Sequence, residues 1–151
     1  MDTQKTSANP SQPTEYRDSL GVALRVVIVS LTLATAYIHF TLGSMLFMAN
    51  AVGYLVLAVG MVAPLGILVR NRWFVRAALL GFTSVTIIGW ALIGPRFMLA
   101  YVDKGMEVVL VSLLVVEMFR YDGGPVNVIR KGLDLVATIV RMPFNGRTSA
   151  Y

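Results

Sequence analysis

Five polar residues in a mostly apolar sequence have side chains that could carry chemistry: His39, Asn50, Tyr54, Lys104 and Glu107. Lys104 and Glu107 are three positions apart, so they share one face of a helix and can form an ion pair. Asn50 and Tyr54 are four apart and also share a face. Ionisable groups held together at membrane depth are typical of ion paths, proton relays and ligand sites. The same residues could instead hold neighbouring helices together, and that structural interpretation stays open.

The sequence excludes several kinds of chemistry. It contains no cysteine, so disulfides, thiolate metal sites and cysteine-ligated iron–sulfur clusters are ruled out. His39 is the single histidine, which rules out a bis-histidine haem within one chain but not a haem shared between subunits. Phosphate-binding loops, dinucleotide fingerprints and hydrolase motifs are absent. We therefore expect a protein that is not an enzyme and has no resident cofactor.

A methionine group near His39 suggests one metal alternative. Met45, Met48, Met98 and Met106 are expected on the same side of the protein as His39. Thioether and imidazole ligands suit Cu(I). Methionine also commonly fills gaps in apolar packing, and these spacings match no metal motif. A metal- or haem-associated protein is accordingly the third of three functional hypotheses.

The amino-acid composition predicts the environment of these residues. Hydrophobic residues make up 56% of the 151 positions and charged residues 14%, with a mean hydropathy of +0.70. No charged side chain occurs from Val26 to Val69, which is long enough to cross a ~30 Å hydrocarbon core twice. These features exclude a soluble enzyme domain and a nucleic-acid-binding module. They predict an integral membrane protein with the lipid bilayer as its main partner.

The apolar segments predict an all-α fold, a four-transmembrane-helix bundle in residues 19–121. The spans are expected at about Leu20–Phe40, Met45–Leu68, Trp73–Gly94 and Tyr101–Phe119. The last is the least apolar because it contains four charged residues, and a re-entrant or surface segment is the alternative. In the first span, Thr32, Thr35, Ala36 and His39 form a stripe of small and polar residues expected to face other helices.

The two flanking segments differ from the spans. Residues 1–18 are polar and rich in Ser, Thr and Pro, so we expect a flexible cytoplasmic tail. Ala34-Thr35-Ala36 resembles a signal-peptidase site, but the long, partly acidic segment before it favours a retained span. Residues 122–151 are predicted to form an amphipathic interfacial helix and a C-terminal tail. A helix docked on a partner protein is the alternative.

The distribution of basic residues predicts orientation. Eleven of the thirteen Lys and Arg residues lie in the N-terminal segment, the second loop and the C-terminal segment, and only Arg96 and Lys104 lie on the other side. The positive-inside rule then places both termini in the cytoplasm of a multi-pass cell-membrane protein. We expect Arg25 and Arg76 to extend towards the headgroups.

Glu117 lies near the inner end of the fourth span, three positions before Arg120. We expect Arg120 to neutralise it.

Three functions fit this sequence. The first is a non-catalytic accessory or assembly subunit that binds other membrane subunits or copies of itself, favoured by small size and absence of motifs. The second is a small transporter or proton-conducting module built on the polar residues expected in the outer leaflet. The third is the metal- or haem-associated protein described above.

Overall fold

The computed structural model describes residues 18–64, 66 and 71–141, with the side chains of 139–141 left out. Over these residues the chain is all-helical, and we number its helices α1 (Ser19–Thr41), α2 (Met45–Val62), α3 (Arg72–Ile93), α4 (Met98–Tyr121) and α5 (Pro125–Arg141). The expected all-α class is therefore confirmed. The second helix ends at Val62 and not at the expected Leu68, because Pro64 lacks a backbone N–H and holds Ala63 in an extended conformation. Most of the predicted N-terminal tail, residues 65 and 67–70, and residues 142–151 lie outside the described residues.

Three of the described helices, α1, α2 and α3, are long and apolar enough to cross a membrane. The fourth, α4, has 24 residues and an expected length of about 36 Å. Its charged side chains lower its hydropathy, and Asp103, Lys104, Glu107 and Glu117 are all buried within the protein. The chain is thus a membrane protein with three helices that are long and apolar enough to span a bilayer, and a fourth long helix that buries four of its five charged side chains.

The first four helices run alternately up and down. Contacts join α1 with α2, α2 with α3, α3 with α4, and α4 with α1, so each helix has two neighbours. We call the end that carries the α1–α2 and α3–α4 connections the turn end, and the opposite end the terminal end. The short helix α5 contacts α3 and α4.

Caps and glycines define where the helices begin and end. The Asp18 carboxylate accepts a hydrogen bond from the Leu20 amide at 3.2 Å and caps α1. Asp18 therefore belongs to the bundle and not to the flexible tail in which it was predicted. Gly43 and Gly123 adopt φ values of 70° and 75° after α1 and α4, a conformation that favours glycine.

A layer of apolar side chains lies halfway along the bundle. Ile28, Leu79, Leu110 and Leu114 each have 0% exposure. Lipid tails are as apolar as these side chains, so burying them between helices gains packing contacts and little hydrophobic free energy. Polar contacts on either side of the layer must therefore contribute much of the specificity of the helix arrangement.

Candidate functional site

Charged and hydroxyl side chains from three helices meet near the turn end. We call them the turn-end cluster: His39 from α1, Tyr54 from α2, and Asp103, Lys104 and Glu107 from α4. Their exposures lie between 0% and 8%. The three α4 residues come together because positions three and four apart share a helix face. Four of the five residues proposed from the sequence thus lie together, and Asp103 joins them.

Lys104 lies between the two carboxylates. Its Nζ is 2.7 Å from Glu107 Oε2 and 3.0 Å from Asp103 Oδ2. The other oxygen of Glu107, Oε1, accepts a hydrogen bond of 2.9 Å from the Tyr54 hydroxyl, which also lies 2.9 Å from Thr86 Oγ1 on α3. Glu107 is therefore tied to α2, and through Tyr54 to α3.

The imidazole of His39 is held by its own helix. A carbonyl oxygen can only accept, so the 2.9 Å contact between Nδ1 and the Thr35 carbonyl places a proton on Nδ1. Nδ1 lies 3.6 Å from Asp103 Oδ1, and Nε2 lies 3.9 Å from Glu107 Oε1. Nε2 is thus the nitrogen that can gain or lose a proton, and it faces a carboxylate.

The turn-end cluster has two carboxylates and one ammonium group, so with both carboxylates ionised its charges do not balance while His39 is neutral. Asp103 and Glu107 carry two negative charges as carboxylates, and Lys104 supplies one positive charge. An unbalanced buried charge costs several kcal/mol. One further monovalent cation, such as a proton on Nε2 of His39, makes the cluster neutral.

A metal ion is the other occupant that these residues could hold. Ligand atoms of His39, Asp103 and Glu107 lie within 4.8 Å of one another, and all three residues are buried. A divalent ion added beside Lys104 would leave the cluster with one excess positive charge. The residues therefore fit a monovalent cation better than a divalent metal.

A cavity of about 290 Å³ adjoins the cluster and extends to the α3–α4 connection. His39, Asn50, Asp103 and Lys104 supply polar atoms to its wall, and most of the remaining wall is apolar. Asn50 is half-buried and, within the described part of the chain, makes no hydrogen bond to His39. Of the five sequence-predicted residues, Asn50 alone lines the cavity without joining the network.

The four methionines expected on the same side of the protein as His39 do not line the cavity beside it. Met45 and Met98 are 90% and 79% exposed, and none of Met45, Met48, Met98 and Met106 lines the cavity. The structure therefore gives the Cu(I) hypothesis no ligand set beyond His39.

A second buried charged group, which we call the terminal-end cluster, consists of Arg25, Arg76, Glu117 and Asp122. Glu117 Oε1 lies 3.7 Å from an Arg25 nitrogen and 3.3 Å from Arg76 Nε, and Arg76 Nη1 donates to Asp122 at 3.0 Å. Arg25 and Arg76 are 8% and 2% exposed. The expectation that they extend towards the headgroups is wrong, because Glu117 offers them a partner inside the bundle.

The expected pairing of Glu117 with Arg120 is also wrong. Arg120 instead hydrogen-bonds the carboxylate of Asp18, at the start of α1. This hydrogen bond holds the pKa of Asp18 below its ordinary value. The Arg120 contact therefore ties the end of α4 to the cap of α1.

No protein-family model, curated protein or solved structure matches this chain. Any functional conclusion must therefore come from the geometry of the molecule itself.

Proposed function

We propose that the chain crosses the membrane four times, with both termini in the cytoplasm and the turn end outside. The length of α4 supports a fourth span, as does the burial of four of its five charged side chains within the bundle. The distribution of basic residues supports the orientation.

We assign α5 to the cytoplasmic membrane surface. Val126, Ile129, Leu133 and Val136 expose 58–69% of their surface, and the neighbouring Arg130 and Lys131 are also exposed. An apolar face flanked by basic residues suits a helix that lies among anionic headgroups.

Introduced cysteines test this topology directly, since the chain has none of its own. A cysteine at Ser11 or Ser149 should react only from the cytoplasm. One at Ser44 or Arg96 should react with a membrane-impermeant reagent from outside. Labelling of positions 44 and 149 from the same side would contradict four spans.

We propose that the protein is a small non-catalytic module that takes up and releases one proton at the turn-end cluster from the outer face. The observation that carries this proposal is that two buried carboxylates, Asp103 and Glu107, share one ammonium group, Lys104 Nζ, at 3.0 and 2.7 Å. Imidazole is the side chain suited to exchanging a proton near neutral pH, and His39 faces both carboxylates. The cavity beside His39 provides a route towards the turn end.

The middle apolar layer limits how far a proton can travel. Ile28, Leu79, Leu110 and Leu114 are fully buried between the turn-end and terminal-end clusters. A small transporter or proton-conducting module would have to open this layer during its cycle. Uptake from one side therefore fits the described conformation, and transport requires a second one.

The single histidine allows a direct test of protonation. Protein with ¹⁵N-labelled histidine in lipid nanodiscs gives only His39 imidazole signals in an NMR titration. We expect interconversion of the neutral and doubly protonated ring, with less of the charged form in Asp103→Asn because a carboxylate stabilises an adjacent cation. Asp134→Asn, on the exposed face of α5, is the matched control and should leave the titration unchanged.

A ring that stays neutral throughout the titration would refute proton uptake. Proton flux measured in proteoliposomes then distinguishes proton uptake from proton transport. If the module conducts, Glu107→Gln and His39→Ala should each abolish proton movement while the protein remains folded.

The exposed apolar face of α5 favours a second function, an accessory or assembly subunit. In this case the face is covered by another membrane subunit or by a second copy of the chain. Leu133→Asp should then release a co-purifying partner in gentle detergent, and so should truncation after Gly124. If the same change releases the helix from anionic vesicles and no partner is lost, the membrane-surface assignment is favoured.

A further inference from the structure

We infer that the cavity beside the turn-end cluster binds a small organic monocation, which replaces the proton on His39. The inference rests on the proposed proton site, because both occupants would balance the same single charge. Binding of the cation should therefore release a proton.

An unpartnered oxygen marks the polar end of the cavity. Asp103 is 2% exposed, and its Oδ2 is held by Lys104 at 3.0 Å. Its Oδ1 makes no hydrogen bond to any described residue, and Nδ1 of the His39 ring lies 3.6 Å away. A buried carboxylate oxygen without a hydrogen bond favours a positively charged or hydrogen-bond-donating occupant.

The remaining wall favours an organic ligand. Phe47, Trp90 and Phe97 contribute aromatic side chains, and most of the other lining residues are aliphatic or small. Inorganic cations such as Ca²⁺ need several oxygen ligands, which this wall does not supply. Aromatic rings attract organic cations through their faces. Trp90 already makes such a contact with the Arg96 guanidinium, 4.3 Å from the ring centroid.

Volume and charge restrict the ligand further. At about 290 Å³, the cavity lies near the lower end of the roughly 300–1,000 Å³ range of small-molecule sites. A dication would leave the same excess positive charge as a divalent metal. The fitting class is a single-ring or short-chain ammonium compound.

Benzyltrimethylammonium is a suitable probe because it is a permanent monocation and has an uncharged analogue of the same shape, neopentylbenzene. Each compound is titrated into the full chain in uncharged nanodiscs, while the His39 NMR signal is monitored. We expect the cation to bind at least about tenfold more tightly than the neutral compound. We also expect the ring to lose its extra proton on binding.

Competition between the cation and one proton predicts that the affinity for the cation depends on pH, and the unmodified protein is sufficient to test this. Wherever free His39 is charged, the affinity for the cation should rise about tenfold per pH unit. The groups that face His39 from the other helices are Tyr54, Asp103, Lys104 and Glu107.

Asp103→Asn should weaken cation binding at least about tenfold, whereas Asp134→Asn, the same change on the exposed face of α5, should leave it unchanged. Equal binding of the two compounds overturns the inference, as does cation binding that leaves the histidine signal unchanged. Failure of the proposed proton site gives a different result: the histidine signal of the free protein would not titrate at all.

Discussion

Removing Lys104 should destabilise the protein more than removing Lys104 and Glu107 together. In Lys104→Met, Asp103 and Glu107 keep two buried negative charges, and a proton on His39 balances only one of them. Removing one partner of a buried ion pair costs about 3–5 kcal/mol. The double variant with Glu107→Gln retains one carboxylate and one imidazole, which can be neutral together. We expect it to be more stable than Lys104→Met by about 1–3 kcal/mol.

Glu107→Gln alone should cost only about 1–2 kcal/mol, since the amide oxygen can still accept from Tyr54 and Lys104 keeps Asp103 as a partner. The free energy of unfolding is measured by SDS titration in mixed micelles, followed by far-ultraviolet circular dichroism. Lys131→Met on exposed α5 is the matched control and should change it by less than about 0.5 kcal/mol. If the losses of the two single variants simply add in the double variant, charge balance does not govern the cluster.

Two further predictions concern packing and pH. A Cβ atom on Gly53 would lie 2.5 Å from Phe82 Cζ, whereas one on Gly81 would have no neighbour within 4 Å. Gly53→Ala should therefore lower the free energy of unfolding by about 1–3 kcal/mol, and Gly81→Ala should not lower it, as measured by thermal unfolding. Arg120 lowers the pKa of Asp18 from its ordinary value near 3.8, so this pair stabilises the fold above that pH and the contribution is lost as pH falls through the lowered pKa. Asp18→Asn keeps a capping side chain but removes the charge. At neutral pH the variant should be less stable than the unmodified protein, and the difference should shrink on acidification. A difference that stays constant would contradict a contribution from the Asp18 charge.

The sequence predicts the helices well because their signals are local. The first three spans begin and end within one or two residues of their expected positions, except that α2 ends at Val62, before Pro64, and not at Leu68. The fourth helix begins three residues earlier than expected, at Met98. Apolar length and turn residues supply these limits without any knowledge of neighbouring helices.

The spacing of residues along α4 indicates which of its side chains face the interior better than its hydropathy does. Glu107, Leu110, Leu114 and Glu117 follow steps of three, four and three residues, which place them on one stripe. Such spacing could have shown that Glu117 faces the interior with Glu107. Its pairing with Arg25 and Arg76 depends on α4 lying between α1 and α3, which no local pattern reveals.

The two buried clusters differ in what they can do. Arginine stays charged at every accessible pH, so the pairing of Arg25 and Arg76 with Glu117 does not change near neutrality, which suits a fixed contact between helices. The turn-end cluster contains the chain's single imidazole and adjoins a cavity. Glu107 and Glu117 are ten residues apart, or about 15 Å along α4, with the apolar layer between them. Under the proposed function, the terminal end keeps its ion pairs while the turn end exchanges a proton or binds a cation.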